Sequence, residues 1–197
     1  MKSETKTASK IKSNDNPKND KNIETLISKT AIKIRIPLKM SLPTPAFGNC
    51  WWECIADQMR INKMRKMSPS MLRKNIIKNI EQCESFDFWK TVSFHDDINE
   101  VLAFKQEQLI EGTFTDMDGV AVLATAEYLG VSIKIYTSQS SAKYPYMLLN
   151  PGKHITFNIF LDITTEKQEH YQSLKITENI NLSSNKNITK NIANTIN

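Results

Sequence analysis

The stretch Pro45-Ala46-Phe47-Gly48-Asn49-Cys50-Trp51-Trp52-Glu53-Cys54-Ile55-Ala56-Asp57-Gln58-Met59 decides how the rest of the chain is read. Gly48-Asn49 is a turn pair, and a cysteine follows at once. The apolar residues Trp51, Cys54, Ile55, Ala56 and Met59 then take the three-and-four spacing of an amphipathic helix. That spacing places Cys50 at a helix N-terminus, where unpaired amides and the macrodipole favour negative charge. Thiolate pKa values fall in such places, and the same N–H groups can hold a developing oxyanion. A nucleophile, its activation and an anion hole are thus available in one segment. The competing reading is a small residue packed at a helix start, which is what most cysteines are.

On the N-terminal side, Pro37, Pro43 and Pro45 enforce an extended approach to Cys50. Ile32, Ile34 and Ile36 alternate with Lys33 and Arg35, the pattern of a half-buried strand or an extended arm. Residues 1–30 are Lys, Asn, Ser and Thr with few large apolar groups and read as a disordered extension.

On the C-terminal side, the Cys50 helix should run to about Asn62. Ser68-Pro69 opens the next, with Ser as N-cap and Pro at the first helical position. Leu72, Ile76, Ile77 and Ile80 give it an apolar face to about Cys83. Ser85 to Val92 reads as a short aromatic helix or turn. A further helix is expected over Asp96 to Ile110, burying Ile98, Val101, Leu102 and Leu109. After a loop at 111–119, which offers Asp116 or Asp118 as a cap, a helix carries Val120, Leu123, Ala124 and Tyr128 and stops at Gly130. Alternation then gives strands at Val131–Ile135 and Ile155–Leu161, separated by a polar loop at 138–153 with room for a short strand at 146–149, and Glu169–Leu174 reads as a short final strand. Residues 176–197 lack a clean period and read as a flexible tail. Helices first and strands last indicate an α+β fold over residues 31–175 rather than alternating units.

At 197 residues and 40% apolar composition the chain can bury one domain's core. No run approaches the ~18 apolar residues of a membrane span, and the start, MKSETKTASK, has no apolar signal core. Three cysteines are too few for a disulfide framework and indicate a reducing, intracellular and cytoplasmic setting. The net charge is +5. Residues 1–30 hold seven lysines against four acids, whereas 31–175 is close to neutral. The basic excess therefore lies mainly in the ends, with no basic-and-aromatic stripe of a nucleic-acid face.

A cysteine nucleophile needs a base, and there are three histidines. His95, beside Asp96 and Asp97, reads as a cap or surface residue, and His154 ends a polar loop. His170 lies in a short strand beside Tyr171, a place for a fixed imidazole. Spacing alone does not pair it with Cys50.

Phe47-Gly48-Asn49-Cys50 followed by Ile55-Ala56-Asp57-Gln58 resembles the Asp-Gly-Asn-Cys box of the ovarian-tumour (OTU) cysteine proteases, which are deubiquitinases. Leu72-Arg73 with Ile76, Ile77 and Ile80 resembles that family's Leu-Arg helix. Gly119-Val120 through Ala124, Ala126, Leu129 and Ile133-Lys134-Ile135 is similar to its Gly-x-x-x-Leu-x-x-Leu-Ala helix and following strand. Glu169-His170-Tyr171-Gln172-Ser173-Leu174 resembles its terminal His-Tyr motif. The likeness covers residues 43–175, with the motifs in the family's order.

The resemblance implies a papain-like OTU fold, a small central sheet between helical layers. It implies Cys50 as nucleophile and His170 as general base. It also implies hydrolysis of the isopeptide or peptide bond after ubiquitin's C-terminal glycine, through a thioester. The expected partners are ubiquitin, polyubiquitin chains or a related modifier, bound by a monomer. No cofactor is implied, and Cys50-x-x-x-Cys54 without a histidine pair is a poor zinc site. Phe47, Gly48 and Cys50 fall where the family shapes its oxyanion hole. Loop 111–119 and the segment before His170 are expected to wall a narrow channel for the Gly-Gly tail, with Glu111, Asp116, Asp118 and Glu169 as carboxylates for ubiquitin's arginines. Two positions depart from the pattern: Phe47 stands where the family has Asp, and Gln172 where it often has Asp or Asn. The Gln172 amide oxygen is expected to orient His170, since residues two apart in a strand share a face. The alternatives are an acceptor from elsewhere in the fold, or a catalytically weak or inactive ubiquitin-binding module on the same scaffold.

Overall fold

A computed structural model describes residues 17–44, 48–110, 112, 114, 119–163 and 170–177, the side chains of 17–20 excepted. The elements in order are α1 (Pro17–Ile34), β1 (Leu38–Met40), α2 (Cys50–Ile61), α3 (Pro69–Lys78), a 3-10 turn (Ile80–Gln82), α4 (Phe86–Val92), α5 (Ile98–Gln108), α6 (Val120–Leu129), β2 (Ser132–Thr137), β3 (Met147–Leu149), β4 (Thr156–Asp162) and β5 (His170–Ile176). The fold is α+β, with one mixed sheet in the order β1-β5-β4-β2-β3. β2 and β4 are parallel and the other neighbours antiparallel.

Strand alternation divides the core in two. Ile133, Ile135, Phe157, Ile159 and Tyr171 face one way, onto the main core formed with α2, α3 and α6. Tyr136, Phe160 and Leu174 face the other way and are covered by α1. The sheet is therefore enclosed between helical layers, as expected.

α1 corrects the reading of residues 17–30 as disordered, and of Ile32 and Ile34 as part of a strand or extended arm. Ile23, Ile27, Thr30 and Ile34 recur every three or four residues and are buried on the Leu38, Tyr136, Phe160 and Leu174 side of the sheet. The few large apolar groups in that segment are thus arranged as one helical stripe, and a stripe needs only those few. The strand begins later, at Leu38. Residues 1–16 and 178–197 lie outside the described residues.

α3 starts as expected, with the Ser68 hydroxyl accepting from the Met71 N–H and Pro69 in the first turn. α5 buries Val101 as expected but not the rest of the face read for it. Val101, Phe104 and Gln108 are buried, whereas Ile98, Leu102 and Leu109 are exposed. Both triplets have helical spacing, and only packing against the neighbouring helices selects between them. α6 is preceded by Gly119 in the left-handed region and ends at Gly130, while Asp116 and Asp118, the caps expected, lie outside the described residues.

Candidate active site

Cys50 is the first residue of α2. The turn before it depends on Gly48, whose φ of 68° lies in the left-handed region that a Cβ disfavours. Asn49 precedes the helix without capping it. Its side-chain oxygen instead accepts from Arg73 of α3, which also bonds the Gly48 carbonyl at 2.9 Å and the Ile110 carbonyl. Arg73 is 3% exposed and lies 5.8 Å from the Trp52 ring centroid. One buried guanidinium thus ties the cysteine turn to the start of loop 111–119. Its fixed positive charge beside the turn adds to the helix terminus in favouring an anion there.

The next residues of α2 carry the site toward β5. Trp51 meets Tyr171 edge-on at 4.9 Å and Phe114 at 6.1 Å, and Phe114 meets Tyr171 at 5.7 Å. The Trp51 indole N–H donates to Thr125 of α6. Phe114 therefore packs on the two aromatics that follow Cys50 and His170 in sequence. One turn on, Gln58 donates to the Ser173 hydroxyl at 2.7 Å and the Leu174 carbonyl at 2.8 Å, and accepts from the Asn158 N–H at 2.9 Å. Asp57 accepts from Ser173 at 2.7 Å and from Arg60. These two polar residues pin α2 to β4 and β5.

His170 opens β5, opposite the buried Asp162 of β4. The hydroxyl of Thr44 lies 3.3 Å from its Nε2. Thr44 also donates to the Tyr171 carbonyl at 2.6 Å, and Gln172 Oε1 accepts from the Thr44 N–H at 3.2 Å and Oγ1 at 3.1 Å. The Gln172 amide donates to the Leu42 carbonyl. Pro43, between Leu42 and Thr44, has no N–H with which to continue the β1–β5 ladder. The Gln172 side chain, itself an amide, takes the place of the missing ladder bonds. Gln172 shares the His170 face of the strand, as alternation requires, but its hydrogen bonds go to this segment and not to the imidazole. It reaches His170 through Thr44.

The other two cysteines are held as thiols. Burial, then the neighbouring Cys50, push Cys54 well up, and the nearby Thr44 hydroxyl opposes this without reversing it. Burial, then Glu127 and Glu81, push Cys83 up to about 11. Neither is suited to attack at neutral pH. His95 is exposed near Glu100, and His154 is exposed. Of the three histidines, only His170 stands with the Cys50 helix.

Cys50 opens α2 after the Gly48 turn, His170 opens β5, the strand on which α2 packs through Tyr171 and Ser173, and Gln172 lies two residues further along β5. Phe47, Glu111, Asp116, Asp118 and Glu169 lie outside the described residues. Thr44, Arg73 and Phe114 are the neighbours that sequence reasoning did not assign. Arg73 sits in a quoted motif, but nothing local says what a buried arginine holds. Thr44 carries no signal beyond its two flanking prolines. Among the described residues no helix is long and apolar enough to cross a membrane.

No protein-family model matches the chain, and no curated protein matches it in sequence. Solved structures do. The OTU domain of OTUD1 superposes with a TM-score of 0.52 at 14% identity, covering 79% of this chain and 99% of that one. An OTU deubiquitinase from Wolbachia pipientis wMel gives 0.52 at 11% identity, covering 76% and 96%. The viral OTU domain protease from Taggert virus gives 0.50 at 16% identity, covering 75% and 84%. These likenesses establish the architecture: the chain has the OTU-domain fold.

Proposed function

We propose that this OTU-fold chain is a cysteine-dependent deubiquitinase that cleaves the bond after ubiquitin's C-terminal glycine. The observation that carries the reading is the placement of Cys50 as first residue of α2 with His170 at the head of the strand α2 packs on. The substrate class comes from the motif resemblance and from one similar structure described as an OTU deubiquitinase. His170 takes the Cys50 proton, and the thiolate attacks the glycine carbonyl carbon. The oxyanion formed is held by the amides at the α2 N-terminus. The C–N bond breaks as His170 returns the proton to the leaving lysine amine. Water, deprotonated by His170, then hydrolyses the thioester and releases the thiol. Loop 111–119 and the segment before His170 wall the channel for the Gly-Gly tail, and Glu111, Asp116, Asp118 and Glu169 meet the arginines of the tail.

A ubiquitin-propargyl probe tests the reading. Covalent capture that Cys50→Ala abolishes supports it, and Cys50→Ala should leave ubiquitin affinity and the thermal transition largely intact. Non-covalent binding without capture would replace it with a ubiquitin-binding module. No interaction of either kind would dismiss both.

A further inference from the structure

We infer that Thr44, six residues before the cysteine, is the residue that orients His170: its hydroxyl oxygen accepts a hydrogen bond from Nε2–H, which makes Nδ1 the basic nitrogen of the ring. The inference rests on the hydrolase reading for its purpose, though not for its geometry.

The argument is one of proton counting. A threonine hydroxyl has one hydrogen and two lone pairs. In Thr44 that hydrogen is directed to the Tyr171 carbonyl at 2.6 Å and the Gln172 amide oxygen at 3.1 Å. Both are pure acceptors, so neither can supply a hydrogen in return. What Thr44 can offer the imidazole at 3.3 Å is a lone pair. The proton of that contact must then sit on Nε2. Neutral imidazole carries one proton, so Nδ1 is the free base.

The orientation of the Gln172 amide supports the same assignment. Side-chain amide oxygen and nitrogen are distinguished by their partners. Here the Thr44 N–H calls for the oxygen and the Leu42 carbonyl calls for the nitrogen. Reversing the amide would oppose donor to donor and acceptor to acceptor. Gln172 is therefore a buttress that fixes the Thr44 backbone and hydroxyl, at 1% exposure, and Thr44 is what touches the ring. Thr44 is 8% exposed, so water does not compete freely for its lone pair. The charged group nearest by register is Asp162, directly across from His170 on β4. It is the rival for the orienting role.

NMR of protein labelled with 15N at histidine decides between them, with His170 assigned by loss of its signals in His170→Ala. The expected result is a slowly exchanging Nε2–H on His170 in the wild type. Thr44→Val should lose that signal and lower kcat on a ubiquitin-fluorophore substrate by ~10-fold to ~100-fold, with KM little changed. Thr44→Ser, which keeps the hydroxyl, should retain the signal and most of the rate. A wild-type His170 whose proton sits on Nδ1 overturns the inference without any variant, so misfolding of Thr44→Val cannot shelter it. A signal that survives Thr44→Val and disappears in Asp162→Asn also overturns it and transfers the role to Asp162. An inactive wild type that shows the Nε2–H signal would sink the hydrolase reading and still support the Thr44 contact.

Discussion

At the scale of single residues, the site depends on side chains whose chemistry is fixed by several partners at once. Gln172 both donates and accepts across Pro43. If it oriented His170 directly, Gln172→Asp would keep or raise activity, because a carboxylate is the stronger acceptor. In the observed arrangement a carboxylate cannot donate to Leu42 and would face a carbonyl. Gln172→Glu and Gln172→Asp should therefore lose about 1–3 kcal/mol at neutral pH, the scale of an unsatisfied buried group, with activity falling alongside. Urea unfolding of the two variants against wild type checks this. Arg73→Lys keeps the charge but not the fork that reaches the Gly48, Asn49 and Ile110 oxygens. It should lower kcat through a loosened cysteine turn and depress the thermal midpoint. Wild-type kcat in Arg73→Lys would show that the turn holds without the fork.

At the scale of elements, α1 is part of the domain. Ile27 is 1% exposed against the α1 face of the sheet. Ile27→Ala should cost about 2–5 kcal/mol, the usual range for emptying a buried aliphatic site. A disordered extension would feel no such change, so thermal denaturation of this one variant separates the two pictures. α5 illustrates the limit of pattern reading. Its two apolar stripes are equivalent as sequence, and the one through Val101 and Phe104 is buried because Phe104 meets Phe94 at 5.4 Å.

At the scale of the whole molecule, the helical layer and the sheet are joined by buried polar bonds as well as by apolar packing. Burial pushes the Asp57 carboxyl up. The Ser41 and Ser173 hydroxyls and the Arg60 guanidinium outweigh this and hold it below the usual carboxylate range. A lowered folded-state pKa means that the ionised carboxylate stabilises the fold. That stability is fully present above the unfolded value of ~3.9 and is lost as pH falls through the folded one. The stability gap between wild type and Asp57→Asn should thus be constant from pH 7 to about pH 5 and shrink below pH 4. A gap independent of pH down to 3 would mean that the charge of Asp57 does not hold α2 to β5.

The sequence by itself determined what depends on near neighbours. The Gly48-Asn49 turn, the start of α2 at Cys50, the Ser68-Pro69 cap, the stop at Gly130 and the alternating strands all follow from local backbone preference and periodicity. So does the order of elements that makes the fold α+β. Only the tertiary structure decided which of two stripes on α5 is buried, that the sparse isoleucines of 23–34 have a sheet face to cover, and where Gln172 turns its amide. Each of these depends on atoms far away in sequence: Thr44 and Gln172 are 128 positions apart, and Gln58 and Ser173 are 115. A side chain's hydrogen-bond partners are set by whatever donors and acceptors the fold carries to it. Spacing along a strand can say which face a residue shares, and not which group waits there.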